Sequence, residues 1–271
     1  MIRLHILGCG SATPTPRHLP ACQVLEVNSR LLMIDCGEGA AHSMLRQKLK
    51  LSRLDHIFLS HLHADHCMGL PGLINTMVMN GRRAPLTVHT FAEGEEIFRR
   101  ILSFFCPEPP FLLDFNIITP GRREVILHDD FNGCGVETEA FPLRHRVPAS
   151  GFLFRCSGRD VPPCSYAYCS DTVYMPELAQ TIAGTDLLYH EATYADDRAD
   201  KAAVHFHSTA AQAAATARDA GAGSLLLGHF ASSYRNEEEH LRQAREIFPR
   251  TLAAREGLTL TITPRSDDLR R

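Results

Sequence analysis

The sequence predicts a layered α/β sandwich with mixed sheets, built as a single domain over residues 1–264. Three observations predict it. Short apolar runs bounded by Gly, Pro and Asp recur along the whole chain, segments with helical spacing separate them, and no shift of composition marks a domain break. At 271 residues and 44% hydrophobic content, the chain can bury a sizeable core.

The elements follow in order. A first strand is expected at 2–7, where Ile2, Leu4 and Ile6 alternate, then strands at 22–27 and 31–34 and a helix at 39–50. A strand at 55–59 leads to a helix at 69–80, a strand at 86–89 and a helix at 92–104. Strands are expected at 111–117, 135–141, 151–155 and 165–169, and a helix at 175–183 with Pro176 suited to its first turn. A strand at 186–189, a helix at 209–220, a strand at 224–227, a helix at 236–248 and a strand at 258–262 complete the set. The helix at 209–220 has a physical warrant: Thr209 as N-cap, Gln212 as its capping-box partner, an Ala-rich body, and Gly221 to stop it. Residues 265–271 are expected to form a frayed polar tail.

Composition narrows the class. A formal charge of -3 gives no global basic field, which argues against a general nucleic-acid coat protein. The nine cysteines are odd in number and scattered, so reduced thiols in a cytoplasmic protein are expected rather than a disulfide framework. No signal peptide or window of membrane-spanning length is expected.

The chemistry concentrates after the strand at 55–59. His61, His63, Asp65 and His66 place four potential ligands within six residues, a spacing that chance rarely produces. In an extended segment alternate side chains share a face, so His61 and His63 can reach one metal while Asp65 and His66 turn toward a second. One divalent ion needs about four donors, and two ions roughly 3.5–4 Å apart need more than this loop supplies. Three apolar strands end in residues of the right type, His145, Asp171 and His229. Their convergence on one sheet edge would bring seven donors together, with the Asp171 carboxylate as a bridge. On spacing alone each of these three is as readily a structural residue as a ligand. Lone histidines such as His56, His89 and His240 are assigned no role, and Cys67 is taken as packing.

The loop at 61–66 matches the His-x-His-x-Asp-His signature of the metallo-β-lactamase superfamily. More specific segments resemble ribonuclease Z, the endonuclease family that trims the 3′ end of precursor tRNA. These are the glycine loop at 8–15 (Gly8-Cys-Gly-Ser-Ala-Thr-Pro-Thr15), Asp35-Cys-Gly-Glu-Gly39, His190-Glu-Ala-Thr193 and His207-Ser-Thr209. The resemblance implies a four-layer αββα sandwich of the metallo-β-lactamase type, two Zn2+ ions and a homodimer; His and Asp donors also suit Mn2+ or Fe. It implies His61, His63, His145 and Asp171 on one metal, and Asp65, His66, Asp171 and His229 on the other. Asp65 would be the proton acceptor, and Asp35 would brace the loop.

From such a site, water activated by two ions would attack phosphorus in line with the leaving oxygen, while the cations offset charge on the non-bridging oxygens. His207, oriented by Glu191, is the candidate general acid or phosphate contact. His190, Ser208 and Thr209 are candidate substrate contacts, with free N–H groups of the following helix near the anion. A surface salt bridge is the alternative reading for His190 and Glu191, and turn formation for Gly8 and Gly10.

Three departures from the family pattern bear on substrate. The family carries a long tRNA-gripping arm between the equivalents of His145 and Asp171, and here about ten residues, Cys156 to Ser165, are left for a hairpin or short loop. The family arginine after His229 is replaced by Ser233, and Arg17-His-Leu-Pro20 only partly resembles the loop that senses the tRNA 3′ end. Substitute basic groups would be Arg46, Lys48, Lys50, Arg53, Arg82 and Arg83, which are otherwise solvated faces. The expected function is cleavage of RNA, chiefly the precursor-tRNA 3′ trailer. The alternatives are hydrolysis of small phosphodiesters or other esters, and a non-catalytic RNA-binding subunit.

Overall fold

The structure is a computed structural model that describes residues 2–159 and 161–265. The chain first lays down β1 (Ile2–Gly8), β2 (Cys22–Val27), β3 (Arg30–Cys36), β4 (Leu54–Phe58), β5 (Leu86–Thr90) and β6 (Leu113–Ile117). It then lays down β7 (Glu124–Asp130), β8 (Cys134–Leu143), β9 (Ala149–Gly158), β10 (Val161–Cys169), β11 (Leu187–Glu191), β12 (Ser224–Gly228), β13 (Thr251–Ala253) and β14 (Thr259–Thr261). These form two seven-stranded sheets, ordered β14-β1-β2-β3-β4-β5-β6 and β13-β12-β11-β10-β9-β8-β7. Each is half antiparallel and half parallel: β1 to β3 and β7 to β10 pair antiparallel, β3 to β6 and β10 to β13 parallel.

Packing follows from alternation along the strands. Ile2, Leu4 and Ile6 of β1, with Leu32, Ile34 and Phe58, face Phe141, Phe152, Phe154 and Tyr166 across the centre of the sandwich. On its outer face the first sheet is covered by α1 (Ala40–Arg46), α3 (Leu70–Met79) and α4 (Ala92–Phe105), through Met44, Leu73, Ile74, Met77, Phe98 and Leu102. Between α1 and α3 lies a single turn, α2 (Ala64–Cys67). The second sheet is covered by α5 (Leu178–Thr181), α7 (Ala210–Asp219) and α8 (Glu238–Ile247), while α6 (Ala199–His205) projects near the ends of the strands. The result is an αββα sandwich of four layers.

Most expected elements are present, and the differences have physical reasons. β7 and β13 are edge strands, one rich in exposed Glu, His and Asp and the other three residues long, so neither carries a clear hydrophobic period. The first helix stops at Arg46, and Lys48 then takes a left-handed φ of 58°. The helix expected at 175–183 shrinks to Leu178–Thr181, with Pro176 ahead of its N-cap Glu177 rather than in its first turn. The capping box of α7 forms as expected, Thr209 accepting from Gln212 N and the Gln212 side chain accepting from Thr209 N. Gly8 and Gly10 are not at left-handed turns: a Cβ on Gly8 would stand 1.9 Å from the Pro20 carbonyl oxygen, so close approach of two backbones requires the glycine. Arg265, expected in the tail, donates from its backbone to Asp186 at 2.7 Å, and the remainder of that tail, 266–271, lies outside the described residues.

Candidate metal centre

The donors come from the ends of strands in both sheets, at one end of the sandwich, rather than from a single sheet edge. β4 leads to His61 and His63 in extended backbone, and α2 then turns Asp65 and His66 inward. His145, Asp171 and His229 follow β8, β10 and β12 of the opposite sheet. Crevices beyond the carboxyl ends of parallel strands are where side chains from separate elements can converge.

Two groups of donor atoms result. His61 Nε2 and His145 Nε2 each stand 3.1 Å from His63 Nδ1, and each is 3.7 Å from Asp171 Oδ2. On the other side His66 Nε2 is 3.2 Å from His229 Nε2, and Asp65 Oδ2 lies 3.4 Å and 3.3 Å from those two nitrogens. Asp171 Oδ1 is 3.5 Å from His66 Nε2 and 3.3 Å from His229 Nε2. Each oxygen of Asp171 therefore faces a different group. Four donors about 2 Å from one tetrahedral ion stand about 3.3 Å from one another, and the observed separations cluster around that value. Asp171 Oδ1 is also buried without a hydrogen-bond partner, which a cation would satisfy. The donor set fits divalent metal on both sides of the carboxylate.

The far nitrogens of His66, His145 and His229 are held. His66 Nδ1 donates to Asp35 Oδ2 at 2.7 Å, His145 Nδ1 to the Phe206 carbonyl at 2.9 Å, and His229 Nδ1 to Thr193 Oγ1 at 2.8 Å. Fixing the proton on the far nitrogen turns the lone pair of Nε2 inward. Asp35 also accepts from Ser60 N at 2.8 Å, Ser60 Oγ at 2.9 Å and Tyr168 OH at 2.6 Å, so it braces the loop. Asp35, Phe206 and His229 all adopt left-handed φ, at 55°, 60° and 62°, a local strain concentrated around the donors. Cys67 donates to the His63 carbonyl at 3.2 Å and packs under the first sheet.

Electrostatics match the crowding. Burial first, then the neighbouring imidazoles, push the His61 pKa well down. Burial opposes the charged form of Asp65, but with no ion between them protonated His66 and His229 would outweigh it and lower the carboxyl pKa. Burial likewise opposes protonation of His207, yet the Glu191 carboxylate beside it at 3.0 Å wins and raises the pKa to about 9.

Glu191 is fully buried, which removes the surface salt-bridge reading. Its oxygens accept from Thr172 N, Ser208 N, Thr193 N, Thr193 Oγ1 and His207 Nδ1, at 2.7–3.1 Å. Other expectations change too. His190, Ser208 and Thr209 are each 0% exposed and do not line the cleft over the donors, so their side chains support it from behind. His190 Nδ1 donates to the Glu191 carbonyl, Ser208 Oγ to the Thr172 carbonyl, and Thr209 caps α7. Of the N–H groups around the start of α7, Ser208 N is taken by Glu191, Thr209 N by Gln212, Ala210 N by the Tyr194 carbonyl and Gln212 N by Thr209.

The cleft over the donors has a volume of about 610 Å³. His63, Asp65, His145, Asp171, His207 and His229 reach its floor, and Arg146, Arg198 and Lys201 line its wall. Those three cations carry the signal that sequence reasoning missed. The basic residues expected to substitute for the arm lie elsewhere. Arg82 is 6% exposed and donates to the Ala84, Leu51 and Pro85 carbonyls, and Lys48 and Lys50 line a separate hollow. In the first loop Arg17 pairs with Glu237, and His18 lies between Glu237 at 2.9 Å and Glu256 at 3.1 Å, which raises its pKa to about 9. That loop's positive charge is spent internally.

Between His145 and Asp171 the chain makes the plain hairpin β9–β10, with Gly158 paired to Val161 across the turn. No arm projects there among the described residues.

Comparison with known proteins agrees with this architecture. Residues 30–230 match the family model described as "Beta-lactamase superfamily domain". A ribonuclease Z from Phocaeicola vulgatus is 42% identical, with 96% of this chain and 97% of the relative aligned. One from Bacteroides thetaiotaomicron is 40% identical, with 97% and 96% aligned. The first alignment takes in 303 positions against the 271 residues of this chain, so the relative has residues with no counterpart here. The crystal structure of human tRNase Z, short form, superposes with a TM-score of 0.80 at 26% identity, covering 96% of this chain and 99% of the human one. Identity of this size over nearly the full length of both chains shows that this protein belongs to the ribonuclease Z family of metal-dependent hydrolases, within the metallo-β-lactamase superfamily.

Proposed function

We propose that this chain is an endoribonuclease that removes the 3′ trailer of precursor tRNA, using two zinc ions, as a cytoplasmic homodimer. The observation that carries this reading is Asp171, whose Oδ2 faces the imidazoles of His61 and His145 and whose Oδ1 faces those of His66 and His229 on the floor of an open cleft. His61, His63 and His145 with Asp171 would hold one ion, and Asp65, His66 and His229, with Asp171 Oδ1 beside the two imidazoles, would hold the other. Bound there, two divalent ions make a water nucleophile available at neutral pH and offset charge gathering on the phosphoryl oxygens.

The chain's own groups do the rest. Asp65 accepts the proton of the attacking water through its free carboxylate oxygen. His207 donates from Nδ1 to Glu191 at 3.0 Å, the buried carboxylate favours its charged form, and it would deliver a proton to the leaving oxygen. Glu191 positions this imidazole without reaching substrate. Imidazole and carboxylate donors also accept Mn2+ or Fe, and metal analysis of the purified protein decides among them.

Nine free cysteines, with Cys22 opposite Cys36 and Cys164 opposite Cys156 in the sheets, support a reducing compartment. No helix among the described residues is long and apolar enough to cross a membrane. Phe104 and Phe105 at the end of α4, 82% and 67% exposed, supply an apolar surface suited to a second copy. The armless hairpin favours a second reading, in which the substrate is a small phosphodiester.

Parallel assays on a precursor tRNA with a 3′ trailer and on bis(4-nitrophenyl) phosphate separate the two. The leading reading expects a single cleavage at the base of the trailer. Turnover of the aryl diester with intact precursor tRNA would reject it.

A further inference from the structure

α6 carries a feature that the metal chemistry does not use. Arg198 at its N-cap, Lys201 and His205 are spaced by three and four residues, so they share one helix face, and all three line the cleft. That face spans about 10 Å, longer than a single phosphate group. Arg146, from the segment after β8, joins it by donating to the Val204 carbonyl at 3.3 Å and to His205 Nδ1 at 2.8 Å.

Arg146 and Arg198 are held in place, the Arg198 Nε also lying 3.6 Å from Asp197 Oδ2. The Arg198 guanidinium lies 4.7 Å over the Tyr234 ring and donates to the Ser233 hydroxyl. Tyr234 is itself fixed, its hydroxyl donating to Asp197 at 2.8 Å and accepting from Ala195 N at 3.0 Å. Asp65 and Asp171 are the only carboxylates lining the cleft among the described residues, and both belong to the donor groups. Nothing on the wall offsets the charge of Arg146 and Lys201. Between the cations Tyr194 presents an aromatic ring that stacks with His205 at 6.4 Å and meets His207 edge-on at 6.2 Å. Cations that follow a backbone, interleaved with an aromatic face for a base, are the chemistry of single-strand binding.

We infer that the α6 face, with Arg146, is a track for the backbone phosphates of single-stranded RNA beside the scissile bond. It rests on the reading of the chain as a ribonuclease and names the groups that hold the strand. The track lies directly beside the donors, in the same cleft. A chain with a bare β9–β10 hairpin therefore still holds the strand it cuts.

The test is the double variant Arg198→Ala/Lys201→Ala, with its thermal midpoint and metal content measured beside the wild type. Cleavage of a precursor tRNA and anisotropy binding of a short labelled single-stranded RNA are followed over a salt series. The inference expects KM for the precursor and Kd for the short RNA to rise about tenfold or more, with kcat falling much less. The log–log salt dependence of binding becomes shallower by about 1.4, the loss of two phosphate contacts. Arg198→Lys/Lys201→Arg, which keeps both charges, restores the slope. Unchanged Kd and slope in the alanine variant overturn the track, as does a fall in kcat with KM unchanged. If the wild type leaves precursor tRNA intact, the proposed function fails, and the binding series still decides the track separately.

Discussion

At the scale of single residues, the site depends as much on groups behind the donors as on the donors. Asp65→Ala is expected to remove diester hydrolysis while the protein stays folded, measured by turnover beside circular dichroism. Asp35→Asn keeps the shape but weakens the acceptor for His66, Ser60 and Tyr168, and metal affinity should fall about 10–100-fold by competition with a chromophoric chelator. Glu191→Gln removes the charge that holds the His207 pKa near 9. An acid that must be protonated loses activity as pH rises through its pKa, so the basic limb of the pH–rate profile should move down toward the ordinary value of about 6.5 in this variant. An unmoved limb would remove His207 as the acid. His61, His63, Asp65 and His66 could be seen in the sequence because they are contiguous. Asp35 was seen as a brace, but the burial of His190, Ser208 and Thr209 was not, because nothing in a linear motif distinguishes a residue facing substrate from one supporting it.

At the scale of elements, the strands and helices with strong periodicity could be read directly, and α7 could be placed by its capping box. The edge strands β7 and β13 could not, being polar or short, nor could the single turn α2, whose helical geometry aims Asp65 and His66 where an extended loop would not. The cationic face of α6 is not legible in the sequence, because residues 192–208 carry no clear helical period and the spacing of Arg198, Lys201 and His205 then has no face to belong to. Close backbone contact locks the end of β3 to the metal loop. A Cβ on Gly69 would stand 2.1 Å from the Gly37 carbonyl oxygen, and Gly69 N donates to the Cys36 carbonyl at 2.8 Å. Gly69→Ala should therefore destabilise the fold by about 1–3 kcal/mol, read as a lowered urea midpoint. An unchanged midpoint would show that the loop yields without cost.

At the scale of the whole molecule, stability should be sensitive to mild acid. His240 is buried among Phe230 and Tyr234 with neither ring nitrogen hydrogen-bonded, and burial lowers its pKa to about 4. His89, stacked on Phe58 at 4.3 Å, is lowered to about 3 by burial and then by His56. Both bind a proton more weakly folded than unfolded. Their contribution is complete above the unfolded value of about 6.5 and is lost as pH falls toward 4 and then 3. Urea unfolding of the metal-stripped protein across that window should show this loss, and His240→Phe should reduce it. The four layers bring strand ends of two sheets together, and what they bring together is two groups of His and Asp donors on either side of the Asp171 carboxylate. The direct measurement is to titrate metal-stripped protein with Zn2+ while following cleavage of a precursor tRNA. Cleavage should appear as the second ion binds and saturate near two equivalents per chain; full cleavage at one equivalent, or with none, would rule out a site that works with two ions.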